Sequence, residues 1–303
     1  MSLEFCLSFV FAFCDFDSRQ FLMANHDSKR GRSWPRHVLR LLVLAACIYL
    51  GVIVLLSFFE NWFVYFPTSA GNWTPAPSAE IKDIELTSAD GTRIHAWWWP
   101  VADSSGAILY FHGNAGNLSN RGPALKTIRD ALGESILIFD YPGYGKSGGR
   151  PSEKGCYQAA DAAYQWLLDQ KIDPGKIVLY GGSLGGGVAV DLASRKKHRA
   201  LVLAKTFTSL PDVGQHLHPW LPVRWVMRNR FDNLSKIGSI TSPVFIVHGT
   251  ADTLVPIEQS RQLFAAANEP KQFMAVNGGD HNDALPEEFF QKLKAFLQGT
   301  AGK

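Results

Sequence analysis

The stretch Ile177-Val178-Leu179-Tyr180-Gly181-Gly182-Ser183-Leu184-Gly185 decides how this chain folds. It opens on an apolar run typical of a buried strand, and a helical pattern begins at Leu184. Between the two lies a G-x-S-x-G pattern, which predicts a sharp turn that lifts Ser183 above the end of the strand. Such a turn crowds its neighbours, so we expect glycine to be required at Gly181, Gly182 and Gly185. A glycine-rich turn in which Ser183 only caps the helix is the alternative.

Apolar runs and helical patterns alternate on both sides of this turn. Strands are predicted at 81–86, 93–99, 107–111, 136–140, 177–180, 201–204, 244–248 and 272–276. Helices are predicted at 123–132, 153–170, 184–195, 257–267 and 286–298. This alternation is typical of an α/β fold with a mostly parallel central sheet and helices on both faces. Functional residues in such sheets concentrate at the carboxyl ends of the strands.

Two later strands end in residues that could complete the chemistry of Ser183. A nucleophilic serine needs a histidine base, and the histidine needs a carboxylate to orient it. Asp252 follows the strand before last and His281 follows the last strand, which is the chain order expected with this type of turn. Asp280 is a weaker alternative acid. His112 competes with His281 as the base, but it occurs early in the chain.

Two backbone N–H groups are predicted to bind an oxyanion. The N–H of Leu184 opens a helix, where N–H groups are free and the helix dipole favours negative charge. The second donor should come from the loop after the strand at 107–111, and the N–H of Asn114 is the candidate. We expect no cofactor and no metal, because the sequence contains neither a CxxC nor an HExxH pattern.

The composition argues against several other classes of protein. The 303 residues carry a formal net charge of +3 with no basic stripe of interleaved aromatic residues, so no nucleic-acid partner is expected. Of the four cysteines, only Cys156 falls in the predicted soluble part, which excludes a disulfide scaffold. Gly145-Lys146-Ser147 resembles the end of a phosphate loop, but Asp140 occupies a position where that loop requires glycine.

A transmembrane helix is predicted at 38–59. The part from Leu41 to Phe59 is uncharged, and a bilayer core takes about 20 apolar residues as a helix. Basic residues crowd the stretch from Lys29 to Arg40, and none occurs from Leu41 through Ile81. This asymmetry predicts a single-pass protein with residues 1–37 in the cytoplasm and the catalytic domain on the other side, periplasmic in a bacterium.

Two alternatives concern the start of the chain. Met23 opens a more conventional signal-anchor than Met1 does, so residues 1–22 could be a gene-model extension. Leu44-Ala45-Ala46-Cys47 resembles a lipoprotein cleavage box that would place a lipid on Cys47. The uncleaved helix is favoured, because cleavage would leave an apolar segment at the new N-terminus.

The rest of the chain divides into a linker and a catalytic domain. Residues 60–80 are predicted as a linker, because their second half is rich in Pro, Ser and Thr. Residues 81–303 form the predicted domain. Within it, 206–241 interrupts the alternation of strands and helices, which favours either a lid over the site or an ordinary packed helix pair.

Several stretches together resemble the membrane-anchored, bud-emergence-type α/β-hydrolases, relatives of the protein depalmitoylases. The matching stretches are 111–117, 140–147, 150–153, 181–186 and 279–282. The resemblance implies the α/β-hydrolase fold and a catalytic triad of Ser183, Asp252 and His281. The sequence departs from it at Ala204-Lys205, where relatives often carry an acidic residue, and this departure bears on substrate preference.

These patterns predict a serine hydrolase that cleaves a carboxylic ester or thioester through an acyl-enzyme on Ser183. The expected substrate is a small or lipid-like acyl compound, with the bilayer as the second partner. A peptidase or amidase of the same fold, an acyl transferase and a catalytically silent membrane scaffold are the alternatives.

Overall fold

The computed structural model describes residues 36–71, 80–102, 104 and 106–300. The predictions for residues 1–35, including the gene-model extension, lie outside the described residues, as do 72–79 of the predicted linker. The chain divides into two compact units, one that ends at Phe58 and one that begins at Phe59.

The described part of the first unit is helix α1 (Arg36–Phe58), which is 23 residues long. Its most apolar 18-residue window has a mean hydropathy of 2.8, and none of that window is buried. The Ser57 hydroxyl donates to the Ile53 carbonyl at 2.9 Å, so this polar group is satisfied within the helix. Among the described residues, α1 is the one helix long and apolar enough to cross a membrane.

The second unit contains all the described strands, nine of the ten described α-helices and two short 3-10 helices, Leu118–Arg121 and Pro174–Lys176. Its strands are β1 (Phe66–Pro67), β2 (Lys82–Thr87), β3 (Arg93–Trp99), β4 (Ala107–Phe111), β5 (Ala115–Gly116), β6 (Ser135–Phe139), β7 (Ile177–Gly182), β8 (Ala200–Ala204), β9 (Val244–Gly249) and β10 (Lys271–Val276). Its α-helices are α2 (Glu60–Val64), α3 (Gly122–Leu132), α4 (Glu153–Asp169), α5 (Leu184–Arg195), α6 (Leu210–Leu217), α7 (Val223–Val226), α8 (Leu234–Ile237), α9 (Ile257–Ala266) and α10 (Glu287–Gly299).

Among the described residues, eight of these strands form one sheet in the order β10-β9-β8-β7-β4-β6-β3-β2. Of the strands in this sheet, β3 alone runs antiparallel to its two neighbours, β2 and β6. Strand β7 lies near the centre, paired in parallel with β4 and β8. The predicted fold class, a mostly parallel sheet with helices, is confirmed.

Alternate residues of the central strands enter two separate hydrophobic cores. Leu179 of β7 packs in the core that includes α4 and α5, whereas its neighbour Tyr180 packs in the core that includes α3 and α10. Successive strand side chains point to opposite faces, and here both faces are covered. This is why the strands read as continuous apolar runs rather than as alternating ones.

The first part of the predicted linker is built into the second unit. The Glu60 carboxylate is buried and accepts the backbone N–H groups of Arg228 and Asn229 at 2.7–3.0 Å. Burial raises the pKa of Glu60, but the N–H donors of Asn229 and Arg228 outweigh it and leave the pKa below its usual value. Downstream, β1 pairs with β5. Over the described residues 60–71, the structure therefore differs from the linker predicted at 60–80, because contacts distant in sequence hold this segment.

Candidate active site

Ser183 stands at the turn between β7 and α5 with φ +51° and ψ −120°. An L-residue rarely adopts a positive φ, so the surroundings must hold this conformation. The Ser183 N–H donates to the Ala204 carbonyl, and the Ser183 carbonyl accepts the Thr206 hydroxyl, both at 2.9 Å. These contacts hold Ser183 at the turn between the end of β7 and the start of α5.

The three glycines beside the serine are not equivalent. A Cβ on Gly181 would come within 2.4 Å of the Gly185 carbonyl oxygen, and one on Gly185 within 2.1 Å of the Phe111 carbonyl oxygen. Both atoms belong to the backbone and cannot move aside, so glycine is required at these two positions. At Gly182 the nearest atom, the Ala204 carbonyl oxygen, would be 4.0 Å away. The expected requirement at Gly182 is therefore wrong, because the chain leaves room there.

The imidazole of His281 connects the serine to an acid. Its Nε2 lies 3.0 Å from Ser183 Oγ, and its Nδ1 lies 2.7 Å from Asp252 Oδ2. Since a carboxylate only accepts hydrogen bonds, Nδ1 carries the proton, which leaves Nε2 of the neutral ring free to accept the serine proton. The three residues come from the ends of β7, β9 and β10, and the parallel sheet brings these ends together.

The side chain of Asp252 is buried and fully hydrogen-bonded. Its Oδ1 accepts the N–H groups of Leu254 and Val255 at 3.0 and 2.8 Å. Burial raises the pKa of Asp252, but hydrogen bonds from His248, His281 and the Val255 N–H outweigh it and hold the pKa well below its usual range. The carboxylate is therefore ionised whenever the protein is folded near neutral pH.

The two alternatives for base and acid occupy other positions. Asp280 Oδ1 accepts the backbone N–H of His281 at 2.7 Å, so this carboxylate binds the loop. His112 is buried after β4, with Nδ1 at 2.7 Å from the Gly113 carbonyl and Nε2 at 3.4 Å from Asp140 Oδ1. The structure brings Asp252 and His281, rather than these residues, to Ser183.

A second histidine contacts the same carboxylate. Nε2 of the buried His248 lies 3.0 Å from Asp252 Oδ2 and 2.8 Å from the Val255 carbonyl. Both neighbours are acceptors, so Nε2 carries a proton. His248 stands four residues before Asp252 at the end of β9, and sequence reasoning missed its role. This spacing could have suggested the contact.

The hydrogen bonds continue from His248 back to Ser183. His248 Nδ1 lies 2.6 Å from the Ser260 hydroxyl, which lies 3.0 Å from the Thr206 carbonyl. The Thr206 hydroxyl in turn donates to the carbonyl of Ser183. These contacts and those of His281 form a closed ring, here called the triad ring. Its members are Ser183, His281, Asp252, His248, Ser260 and Thr206.

The loop proposed to supply an oxyanion donor passes directly over the nucleophile. A Cβ on Gly113 would lie 3.7 Å from Ser183 Cβ. The Asn114 side chain donates to the Val64 carbonyl at 2.5 Å, and its Oδ1 accepts the Tyr144 hydroxyl at 2.8 Å. Among the described residues, the N–H groups of Asn114 and Leu184 donate to no other protein group. Both remain available to a bound oxygen atom.

The segment at 206–241 lies between β8 and β9 and contains the short helices α6, α7 and α8. It is held by polar contacts, since Glu153 accepts the N–H of Phe231 at 2.9 Å and Gln259 Oε1 accepts the N–H of Thr208 at 3.1 Å. Trp225 is 89% exposed in this insertion. The role of the segment 206–241 as a lid stays a prediction.

The chain matches known hydrolases in sequence and in fold. Residues 106–234 match the family model described as the alpha/beta hydrolase fold. An uncharacterized protein of Mycobacterium tuberculosis is 40% identical over 286 residues, which span 90% of this chain and 98% of that protein. The protein bem46 of Schizosaccharomyces pombe is 32% identical over 261 residues, spanning 79% of this chain and 86% of that protein.

Among solved structures, an esterase of Pyrococcus furiosus superposes with a TM-score of 0.65 at 26% identity. The match covers 79% of this chain and 98% of the esterase. The chain belongs to the α/β-hydrolase family. Within that family it groups with the bud-emergence-type proteins, so the resemblance inferred from the motifs is confirmed. The fold and the esterase neighbour support a hydrolase.

Proposed function

We propose that this protein is a serine hydrolase that cleaves a carboxylic ester or thioester through an acyl-enzyme on Ser183. One observation carries the proposal: Ser183 Oγ, His281 and Asp252 lie in a continuous hydrogen-bonded line with spacings of 3.0 and 2.7 Å. The ring tautomer leaves Nε2 facing the hydroxyl, which is the arrangement that general-base activation of a serine requires.

In the first half of the proposed reaction, Ser183 Oγ attacks the carbonyl carbon while His281 Nε2 takes the hydroxyl proton. The N–H groups of Leu184 and Asn114 are the proposed donors to the oxygen that becomes negative. Asp252 is ionised and stabilises the imidazolium that forms. The tetrahedral intermediate collapses when the alcohol or thiol leaves, with the proton on His281 available to the leaving group.

In the second half, water replaces the leaving group. His281 Nε2 takes a proton from the water as its oxygen attacks the acyl carbon, and the same N–H groups would bind the second oxyanion. Collapse of this intermediate returns the proton to Ser183 Oγ and releases the carboxylic acid. The described site therefore contains the groups that both steps need.

The first test is active-site labelling of the full chain by a fluorophosphonate. We expect Ser183 to be phosphonylated in the wild type and labelling to be lost in Ser183→Ala. Ser194→Ala serves as the matched control, because Ser194 lies on α5 with its hydroxyl bound to the Asp191 carbonyl, away from the triad ring. Mass spectrometry locates the adduct. A Ser183→Ala protein that still labels would disprove the assignment.

For the substrate, we propose a small or lipid-like acyl ester or thioester, and the esterase activity named for the Pyrococcus neighbour supports this class. A panel of p-nitrophenyl esters, acyl thioesters and aminoacyl amides of increasing acyl length separates the possibilities. We expect turnover of esters or thioesters to exceed that of amides. A preference for amides would favour the peptidase alternative.

For the location, we propose that α1 spans a membrane with the catalytic domain on the non-cytoplasmic side. The charge asymmetry around 41–59 supports this orientation, since basic residues precede the run and none follows before Lys82. A reporter active only outside the cytoplasm and one active only inside are each fused after Lys303. We expect a signal from the external reporter. Activity of the cytoplasmic reporter alone would contradict the orientation.

A further inference from the structure

Lys205 follows β8 directly and is both buried and strained. Its side chain lies inside the protein, and the whole residue is 8% exposed. Its backbone has φ +52°, and its N–H donates to the Val247 carbonyl at 2.8 Å. Glycine adopts such a φ readily, whereas a lysine does so at a cost. The contacts of the buried side chain show what this lysine adds that glycine would not.

The ammonium group of Lys205 binds the loop that carries His281. Its Nζ donates to the backbone carbonyls of Asp280, His281 and Asp283 at 3.0, 2.9 and 2.5 Å. A neutral amine has only two N–H groups, so three acceptors match the protonated form. Burial lowers the pKa of Lys205, while the carboxylates of Asp252, Asp283 and Asp280 oppose that effect.

The loop that carries His281 is also contacted by the residues that follow β9. The Ala251 N–H donates to the Gly279 carbonyl at 3.0 Å, and the Thr253 N–H donates to Asp280 Oδ1 at 3.4 Å. Residues 277–286 connect β10 to α10 without regular secondary structure. Asp280 and Asp283 contact each other's backbone within the loop, since the Asp280 N–H donates to Asp283 Oδ2 at 2.8 Å. Asp252 orients the ring of His281, whereas Lys205 binds the backbone carbonyl of the same residue. Ring and backbone are thus held from two different strands.

We propose that Lys205 is a positioning residue that fixes the backbone of the His281 loop and so keeps Nε2 within reach of Ser183 Oγ. This inference rests on the proposed function, because it assigns Lys205 a part in the same reaction. Lys205, where relatives often carry an acidic residue, would then act on the position of His281 rather than on substrate preference. Small displacements of a catalytic group reduce the rate steeply, by about 100-fold for 1 Å.

The chain offers a matched control for testing this lysine. Lys171 also has a positive φ, +66°, but it is exposed just after α4. Substitution by glycine relieves the backbone equally at both positions, and only at Lys205 does it also remove the contacts to the loop. Lys171→Gly and Lys205→Gly in the full chain therefore separate backbone strain from loop positioning.

Two measurements are made on both variants. Hydrogen–deuterium exchange reports the protection of residues 277–286, and the rate of fluorophosphonate labelling reports activation of Ser183. We expect Lys205→Gly to speed exchange in the loop by about tenfold or more and to slow labelling by about 10- to 100-fold. The thermal unfolding temperature of Lys205→Gly should change little, because the effect is confined to the loop. Lys171→Gly should match the wild type in loop exchange and labelling.

Two further variants test whether Lys205 acts through His281. In a His281→Ala background, Lys205→Gly should cause no additional loss of labelling, because the group it positions is absent. Propylammonium, which can occupy the vacated space, should restore part of the labelling rate of Lys205→Gly but none of that of His281→Ala. If Lys205→Gly fails to fold, Lys205→Met takes its place, since it keeps the volume without the charge.

The outcomes distinguish this inference from the proposed function. Wild-type exchange in the loop of Lys205→Gly, or an equal loss of labelling with and without His281, overturns the role of Lys205. A wild-type protein that resists the fluorophosphonate refutes the serine hydrolase instead. Faster loop exchange in Lys205→Gly would then still establish Lys205 as the residue that holds this loop.

Discussion

Asp252 serves two histidines with one oxygen atom, since its Oδ2 lies 2.7 Å from His281 Nδ1 and 3.0 Å from His248 Nε2. Both ring nitrogens act as donors, so the acceptor between them must carry no hydrogen. An amide in place of the carboxylate would present either a donor or a weaker, neutral acceptor to both rings. Replacement of this oxygen atom would therefore disturb the hydrogen bonds of both histidines at once.

We expect Asp252→Asn to lower turnover by up to about 10⁴-fold, because the imidazole loses its tautomer and the partner that stabilises its cation. Asp280→Asn should change turnover by less than about tenfold, since Asp280 contacts the backbone of the loop. Steady-state kinetics on the best ester of the panel measures both. A larger loss from Asp280→Asn than from Asp252→Asn would identify Asp280 as the acid.

Sequence reasoning located Ser183, Asp252 and His281 because each follows the apolar run of a strand, a local signal. His248, Lys205 and Thr206 also stand at the ends of strands, but nothing local to them indicates which residues they contact. Thr206 contacts Ser260 across 54 positions of the chain, and Lys205 contacts the His281 loop across 75 to 78. Contacts of this reach depend on how strands are ordered in the sheet, which periodicity does not encode.

At the scale of elements, the backbone is packed tightly at the turn between β7 and α5. A methyl group on Gly185 would overlap the Phe111 carbonyl of the neighbouring strand β4, whereas one on Gly182 would lie at an ordinary van der Waals distance, 4.0 Å, from the Ala204 carbonyl oxygen. The crossing of α5 over β4 thus depends on one missing side chain. A side chain at position 185 would force α5 away from β4.

We expect Gly185→Ala to lower the free energy of unfolding by about 3 kcal/mol or more and to abolish fluorophosphonate labelling. Gly182→Ala, its control one residue before the nucleophile, should cost less than about 1 kcal/mol. Urea unfolding followed by circular dichroism measures both. Equal effects at the two positions would contradict the packing described for this turn.

The strands and long helices of the second unit agree with the sequence predictions to within a few residues, because apolar runs and helical periods mark them locally. The segment 60–71 does not. The sequence predicts a linker there because residues 67–80 are rich in Pro, Ser and Thr. In the structure, however, Glu60 binds the N–H groups of Arg228 and Asn229, and Asn117 Nδ2 donates to the carbonyls of Thr68 and Ala70 at 2.9 Å. Polar contacts to backbone groups leave no mark in a hydropathy pattern.

For the molecule as a whole, ionised carboxylates inside the second unit tie its stability to pH. In each of them burial raises the pKa, but hydrogen bonds or nearby cations outweigh it and leave the pKa lowered. The groups are Glu60, Asp140, Asp212 and Asp252. A carboxyl group with a lowered pKa stabilises the fold above its unfolded-state value of about 4, and this contribution is lost as the pH falls through the folded-state pKa.

We therefore expect the urea midpoint of the full chain in detergent to hold steady above about pH 5 and to fall progressively below about pH 4. Glu60→Gln should lower the midpoint near neutral pH and make the acid decline shallower, because one group that must take up a proton is gone. Unfolding is followed by tryptophan fluorescence at each pH. A wild-type midpoint that stays level down to pH 3 would contradict the prediction.

The triad ring also limits which descendants of this sequence can arise one mutation at a time. Loss of the Ser260 hydroxyl would remove this partner from both His248 Nδ1 and the Thr206 carbonyl, whereas loss of the His248 ring would leave Asp252 Oδ2 with His281 alone. A lineage that drifts must either keep all six residues or replace neighbours in pairs. A mutagenesis library aimed at new substrates should accordingly hold the ring constant and vary the exposed positions of the surrounding segments, such as Trp225.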